Sequence, residues 1–235
     1  MCIRDSVKAT LSGLLPHLTR KADRSFLSEA QRRMSEWNAL LDQVEGTKRS
    51  PLRPQMVIRA LSDLLPDDAV ISLDCGANTH FAARCLKLRT NQSLTGTGML
   101  ASMAPGLSYG IAAKYAFPDR PSIVITGDGG FSMLMAELVT ATSNKLPVKI
   151  ILLKNNSLAE VRFEQEDIGN PEFGCELAPI DFVAFAKACG AEGYRCELPE
   201  EVVPAIKSAL ESPRTALVEA IVDPNERPAK PEQLK

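Results

Sequence analysis

A chain of 235 residues, 45% of them hydrophobic, can bury one large core, and a net charge of −2 offers no basic surface for nucleic acid. No run approaches the roughly 18 consecutive apolar residues of a membrane span. The six cysteines include no C-x-x-C pair, so they read as reduced thiols of a cytoplasmic protein rather than as disulfides or a zinc site.

The first six residues have no apolar segment behind them and read as an assembly scar, not a secretory signal. Residues 7–47 are polar and helix-rich. Phe26, Leu27, Ala30, Met34, Trp37, Leu40 and Leu41 recur at helical spacing and predict an amphipathic helix over 24–44. Too polar for a core of its own, the segment 7–47 reads as the tail of a preceding domain with a linker helix, and 46–51 as the linker.

From Pro51 the pattern alternates. Helices are expected over 54–65, 79–86, 106–115, 131–144, 180–189 and 199–210. Strands are expected over 69–73, 92–95, 122–126, 148–153, 192–196 and 215–222. Near-continuous apolar strands alternating with helices predict an α/β fold: a doubly wound, mostly parallel sheet over residues 51–225, with a helical N-terminal appendage. Residues 226–235 read as an exposed tail.

Two turns in this pattern carry chemistry. Gly127-Asp128-Gly129-Gly130 follows the strand at 122–126, and Asn155-Asn156 follows the strand at 148–153. In a parallel sheet both fall at the carboxyl ends of strands, where ligands bind. Asp128 and Asn155, 155 − 128 = 27 residues apart, offer hard oxygens suited to Mg²⁺ or Ca²⁺, and the Ser157 carbonyl could add a third. Gly129 and Gly130 let backbone approach a phosphate at the start of the following helix. Alone, a Gly-Asp-Gly is a tight turn and an Asn-Asn a cap; the two together, one helix apart, point to a metal–diphosphate site.

The run from Gly127 to Met135, continued by Lys154-Asn155-Asn156-Ser157-Leu158, resembles the thiamine-diphosphate motif, G-D-G followed by N-N, and most closely the pyruvate oxidase and acetolactate synthase family. The resemblance covers residues 51–225. It implies thiamine diphosphate and Mg²⁺, with FAD in full-length members, a small 2-oxo acid as substrate, and a homodimer or homotetramer sharing active sites. It gives Asp128, Asn155 and Ser157 to the metal, and Asn78, Thr79, Met103, Gly127, Gly129, Gly130 and Leu158 to the cofactor. Met103, 128 − 103 = 25 residues before Asp128, stands where the family wedges an apolar side chain under the cofactor rings. Otherwise it is an ordinary core methionine.

Glu164 stands near an acidic residue that faces substrate in some members; a solvated helix residue is the alternative. Glu160 stands where many members carry glycine. His80 is either a structural hydrogen-bonder or a catalytic base. The family's cofactor-protonating glutamate lies in an N-terminal domain, so the chain reads as a piece of a longer enzyme that alone binds cofactor weakly and does not turn over. Residues 131–135 and 147–150 favour the oxidase or quinone-linked pyruvate dehydrogenase branch over a carboligating acetolactate synthase. A phosphate- or nucleotide-binding module without catalysis is the remaining alternative.

Overall fold

The computed structural model describes residues 6–45 and 48–228. The expected scar at 1–5, the linker residues Gly46 and Thr47, and the tail from 229 lie outside the described residues. The chain divides into two units between Leu40 and Leu41. The first holds helix α1 (Val7–Leu14), started by Ser6, whose hydroxyl accepts the Ala9 N–H, and most of α2 (Ser25–Glu45). Surface ion pairs, among them Arg33 to Glu29 at 2.7 Å, lace α2.

In the second unit, helices and strands alternate as α3 (Pro54–Leu64), β1 (Val70–Leu73), α4 (Ala77–Cys85), β2 (Ser93–Thr95), α5 (Pro105–Ala116), β3 (Ser122–Gly127), α6 (Asp128–Leu134), α7 (Glu137–Ser143), β4 (Val148–Lys154), α8 (Ala159–Asp167), α9 (Phe182–Ala188), β5 (Glu192–Cys196), α10 (Pro199–Glu211) and β6 (Ala216–Ile221). The six strands are parallel, in the order β2-β1-β3-β4-β6-β5.

Strand alternation sorts the core into two layers. Ile123, Ile125, Ile151 and Leu153 face α3, α4 and α10; Val124, Ile150 and Leu152 face the layer of α5, α7 and α9. All of β4 is buried, and from Ile150 to Leu153 its sequence is apolar on both faces. Phe131 meets Phe182 edge-on at 5.5 Å, linking α6 to α9.

Three expectations need correction. The helix expected over 131–144 is two helices, and the first begins at Asp128. It starts early because Asp128 accepts the Gly129 N–H and Ser132 anchors its hydroxyl on the Gly129 carbonyl. It breaks at Met135 and Ala136, where the N–H groups of Leu138 and Val139 close tighter three-residue turns. Helix α8 is absent from the expected helices, although the alternative reading of Glu164 as a solvated helix residue fits it. Its buried positions include Arg162, which sits over Phe163 and donates to Asn225 at 3.0 Å. Residues 226–228 are not an exposed tail but partly buried: Glu226 binds Arg53 at 3.0 Å, and Arg227 binds Asp167 at 2.7 Å and covers Phe163.

Helix α5 lies close on the sheet because Gly110 has no side chain. A Cβ there would stand 2.3 Å from Val124 Cγ2 and 3.2 Å from Val148 Cγ1. Alanine favours a helix over glycine by about 1 kcal/mol. Overpacking against stiff valines costs about 1–3 kcal/mol. Gly110→Ala is therefore expected to lower the melting temperature, and a variant melting at or above wild type would show that α5 can lift off the sheet.

Candidate functional site

The chain passes from β1 outward to β2, then returns past β1 to β3. The direction of winding reverses between β1 and β3, and a crevice opens at the carboxyl ends of their strands. The loops after β1, β3 and β4 meet there.

Asp74, one residue past β1 and 1% exposed, ties this rim together. Its Oδ1 accepts the N–H groups of Cys75 (2.7 Å) and Ala104 (2.8 Å). Its Oδ2 accepts the Gly106 N–H (3.2 Å) and the Thr126 hydroxyl (3.3 Å). Ala104 is held in the left-handed region at φ 89°, a costly conformation for a residue with a Cβ. This bend delivers Met103 to the site. Glycines 106 and 130 make room for Asp74 itself: a Cβ would stand 2.9 Å from Asp74 Oδ2 at Gly106 and 2.7 Å from Asp74 Oδ1 at Gly130.

Asp128 is 4% exposed. Its Oδ2 accepts the N–H groups of Asn155 (3.2 Å) and Asn156 (2.6 Å), and Oδ1 accepts that of Gly129 (3.0 Å). One carboxylate thus joins the turn after β3 to the turn after β4. Burial pushes its pKa above the ordinary carboxylate value, against the pull of those N–H groups. Asn156 takes φ 54°, a left-handed position that asparagine tolerates. The Asn155 amide oxygen receives the Ser157 N–H at 3.0 Å. The Ser157 hydroxyl is buried without a partner.

Asp128, Asn155 and Ser157 line a cavity of about 60 Å³ shared by Asn78, Met103, Gly129, Leu158 and Glu160. Met103 Cε, Leu158 Cδ2 and Leu177 Cδ1 would lie 3.5, 2.8 and 3.2 Å from a Cβ on Gly129, so apolar side chains close over that glycine. The loop carrying Leu177 is strapped to the site by backbone bonds from Leu177 N–H to Asn156 O and from Leu158 N–H to Cys175 O.

The sequence-predicted residues divide accordingly. Asn78, Met103, Gly127, Asp128, Gly129, Gly130, Asn155, Ser157 and Leu158 all line the cavity. Thr79 does not: its hydroxyl donates to the Asp74 carbonyl, beside the Asn78 amide that donates there at 3.0 Å. Glu164 is exposed on α8, away from the cavity wall. His80 pairs with Glu160, Nε2 to Oε1 at 3.2 Å. Sequence reasoning missed Asp74 as the organiser of the rim, and also the segment from Val222 to Glu226 on the outer wall, where Arg49 offsets Asp223 at 2.7 Å.

The donor set fits a hard cation. Asp128 supplies a buried carboxylate, Asn155 an amide oxygen, and the turn at Ser157 a carbonyl beside an orphaned hydroxyl. Among the described residues no cluster of three or more His, Cys, Asp or Glu side chains forms an alternative metal site.

Residues 74–220 match the family described as Thiamine pyrophosphate enzyme, C-terminal TPP binding domain. The chain is 38% identical over 218 residues to YdaP of Bacillus subtilis (strain 168), named as a thiamine pyrophosphate-containing protein, covering 93% of this chain and 38% of that one. It is 28% identical over 229 residues to pyruvate oxidase of Lactiplantibacillus plantarum, covering 96% and 38%. It is 34% identical over 179 residues to acetolactate synthase 1 of Nicotiana tabacum, covering 72% and 27%. A solved thiamine diphosphate-dependent 4-hydroxybenzoylformate decarboxylase of Rhodococcus jostii RHA1 superposes with a TM-score of 0.70 at 26% identity, over 75% of this chain and 34% of that one. The chain spans well under half the length of the curated relatives it matches.

Replacing Asp74 by alanine strands three backbone N–H groups, while the Thr126 hydroxyl keeps the Gly127 carbonyl at 3.0 Å. Each buried donor left unpaired costs about 1–3 kcal/mol. Asp74→Ala is expected to lose at least about 3 kcal/mol of stability in a urea titration, with Asp74→Asn falling between it and wild type; an alanine variant of wild-type stability would remove Asp74 from its organising place.

Proposed function

The chain belongs to the thiamine pyrophosphate enzyme family, whose C-terminal TPP-binding domain it carries, and on that premise we propose that it holds the magnesium and diphosphate of a 2-oxo acid-decarboxylating enzyme. The observation that carries this reading is the meeting of the Asp128 carboxylate, the Asn155 amide and the Ser157 turn on one rim of the cavity that Met103 enters.

In this reading Asp128, Asn155 and the Ser157 carbonyl hold the cation. Asp128 also orients the asparagine turn through two N–H groups before any ligand arrives, so little reorganisation is needed on binding. Gly129 keeps the wall open beneath Met103, and Met103, with Leu158 and Leu177, excludes water from the cofactor rings. When bound, thiamine diphosphate supplies a stabilised carbanion, the hard part of the chemistry. The substrate is a small 2-oxo acid such as pyruvate, and the complete active site is shared between subunits of a homo-oligomer.

An oxidase or quinone-linked pyruvate dehydrogenase with FAD is the favoured reaction, supported by the likeness to pyruvate oxidase over 96% of this chain. The likeness to a tobacco acetolactate synthase supports a carboligase as the second reading. A tightly bound flavin in the whole enzyme separates the two.

Calorimetric titration with thiamine diphosphate tests the site. Binding is expected only with Mg²⁺, and Asp128→Ala or Asn155→Ala is expected to weaken it by at least about tenfold, the loss of one charge-assisted contact. Unchanged affinity in both variants, with displacement by ADP, would make this a nucleotide- or phosphate-binding module instead.

A further inference from the structure

The cavity carries a second carboxylate that lacks the donors Asp128 enjoys. Glu160, in the first turn of α8, lines the wall together with Cys75, Asn78 and Asn155. Its Oε1 lies 3.2 Å from His80 Nε2 on α4. Its Oε2 is buried and has no hydrogen-bond partner. The Cys75 thiol beside it is pushed up by burial first, then by Asp74, and also by Glu160. An ionised carboxylate can only accept hydrogen bonds, and a buried acceptor left unpaired is costly. The partner missing from Oε2 is therefore a donor.

We propose that Glu160 is a ligand-contacting residue of this cavity, aimed by His80, and that its Oε2 receives a hydrogen-bond donor carried in with the ligand. The inference rests on the reading that the cavity takes a metal–diphosphate complex. Such a complex brings donors from two sources: water kept by the cation, which Mg²⁺ surrenders reluctantly, and N–H groups of the organic part. His80 is a positioning residue. It bridges α4 and α8 and holds Oε1, which leaves Oε2 as the oxygen without a partner.

The test measures binding of Mg²⁺–thiamine diphosphate and of Mg²⁺–inorganic diphosphate to the 235-residue chain and to its Glu160→Ala, Glu160→Gln, His80→Ala and Asp128→Ala variants, with the ligand-free melting temperature of each. Glu160→Ala is expected to bind about tenfold more weakly while melting at or above wild type, because it removes a buried acceptor that has no partner. Glu160→Gln retains an acceptor oxygen and is expected to stay within a few-fold of wild type. His80→Ala is expected to lose less affinity than Glu160→Ala. Weakening toward both ligands assigns the donor to water on the cation; weakening toward thiamine diphosphate alone assigns it to the organic part. If Glu160→Ala binds both ligands as tightly as wild type while Asp128→Ala does not, the inference fails and the site reading stands. A lowered melting temperature with unchanged affinity would make the pair a brace between two helices and also overturn it. If wild type binds neither ligand, both fall together.

Discussion

A single buried carboxylate, that of Asp74, holds the working rim of this protein. It takes four donors from three stretches of chain: its own loop, the segment entering α5, and the end of β3. The left-handed turn at Ala104, and so the placing of Met103, hangs on this carboxylate. The start of α6 is packed against it, because Gly130 offers no Cβ to push it away. Ligand-facing groups on loops are precise here because a group that faces no ligand has already fixed the loops.

Asp128 works on a different balance. It too accepts N–H groups from neighbouring turns, but desolvation outweighs them and its carboxyl is held above the usual range. A fold optimised only for stability would put a neutral group in that place, since isolated buried charge is among the costlier features of a protein interior. The two carboxylates therefore differ in kind. Asp74 takes its donors from across the rim, and Asp128 stays above the ordinary carboxylate value although three N–H groups reach it.

Much of this arrangement was legible in the sequence, for identifiable physical reasons. Strands β3 and β4 were expected over 122–126 and 148–153 and run over Ser122–Gly127 and Val148–Lys154, because burial on both faces leaves an apolar run that little else imitates. Asp128 and Asn155 were found because the turns after those strands must share a rim. What escaped notice depends on distant partners. Asp74 meets Ala104 and Thr126 across 30 and 52 residues, and no local spacing records that. Helix α8 hid because its pattern is inverted: Val161 is exposed while Arg162 is buried against the segment after β6. Thr79 looked like a phosphate donor, but its hydroxyl is spent on its own loop.

Gly130 bears on how such motifs should be understood. Its lack of a side chain answers to the oxygen of Asp74, since a methyl group would stand 2.7 Å from that oxygen before any ligand entered. A descendant of this protein that had abandoned its chemistry altogether would still need glycine there for as long as it kept the aspartate after β1. The fourth letter of the Gly-Asp-Gly-Gly signature is thus a record of architecture. Asp128 and the asparagine turn opposite it are the parts of the signature that meet each other across the two strand ends.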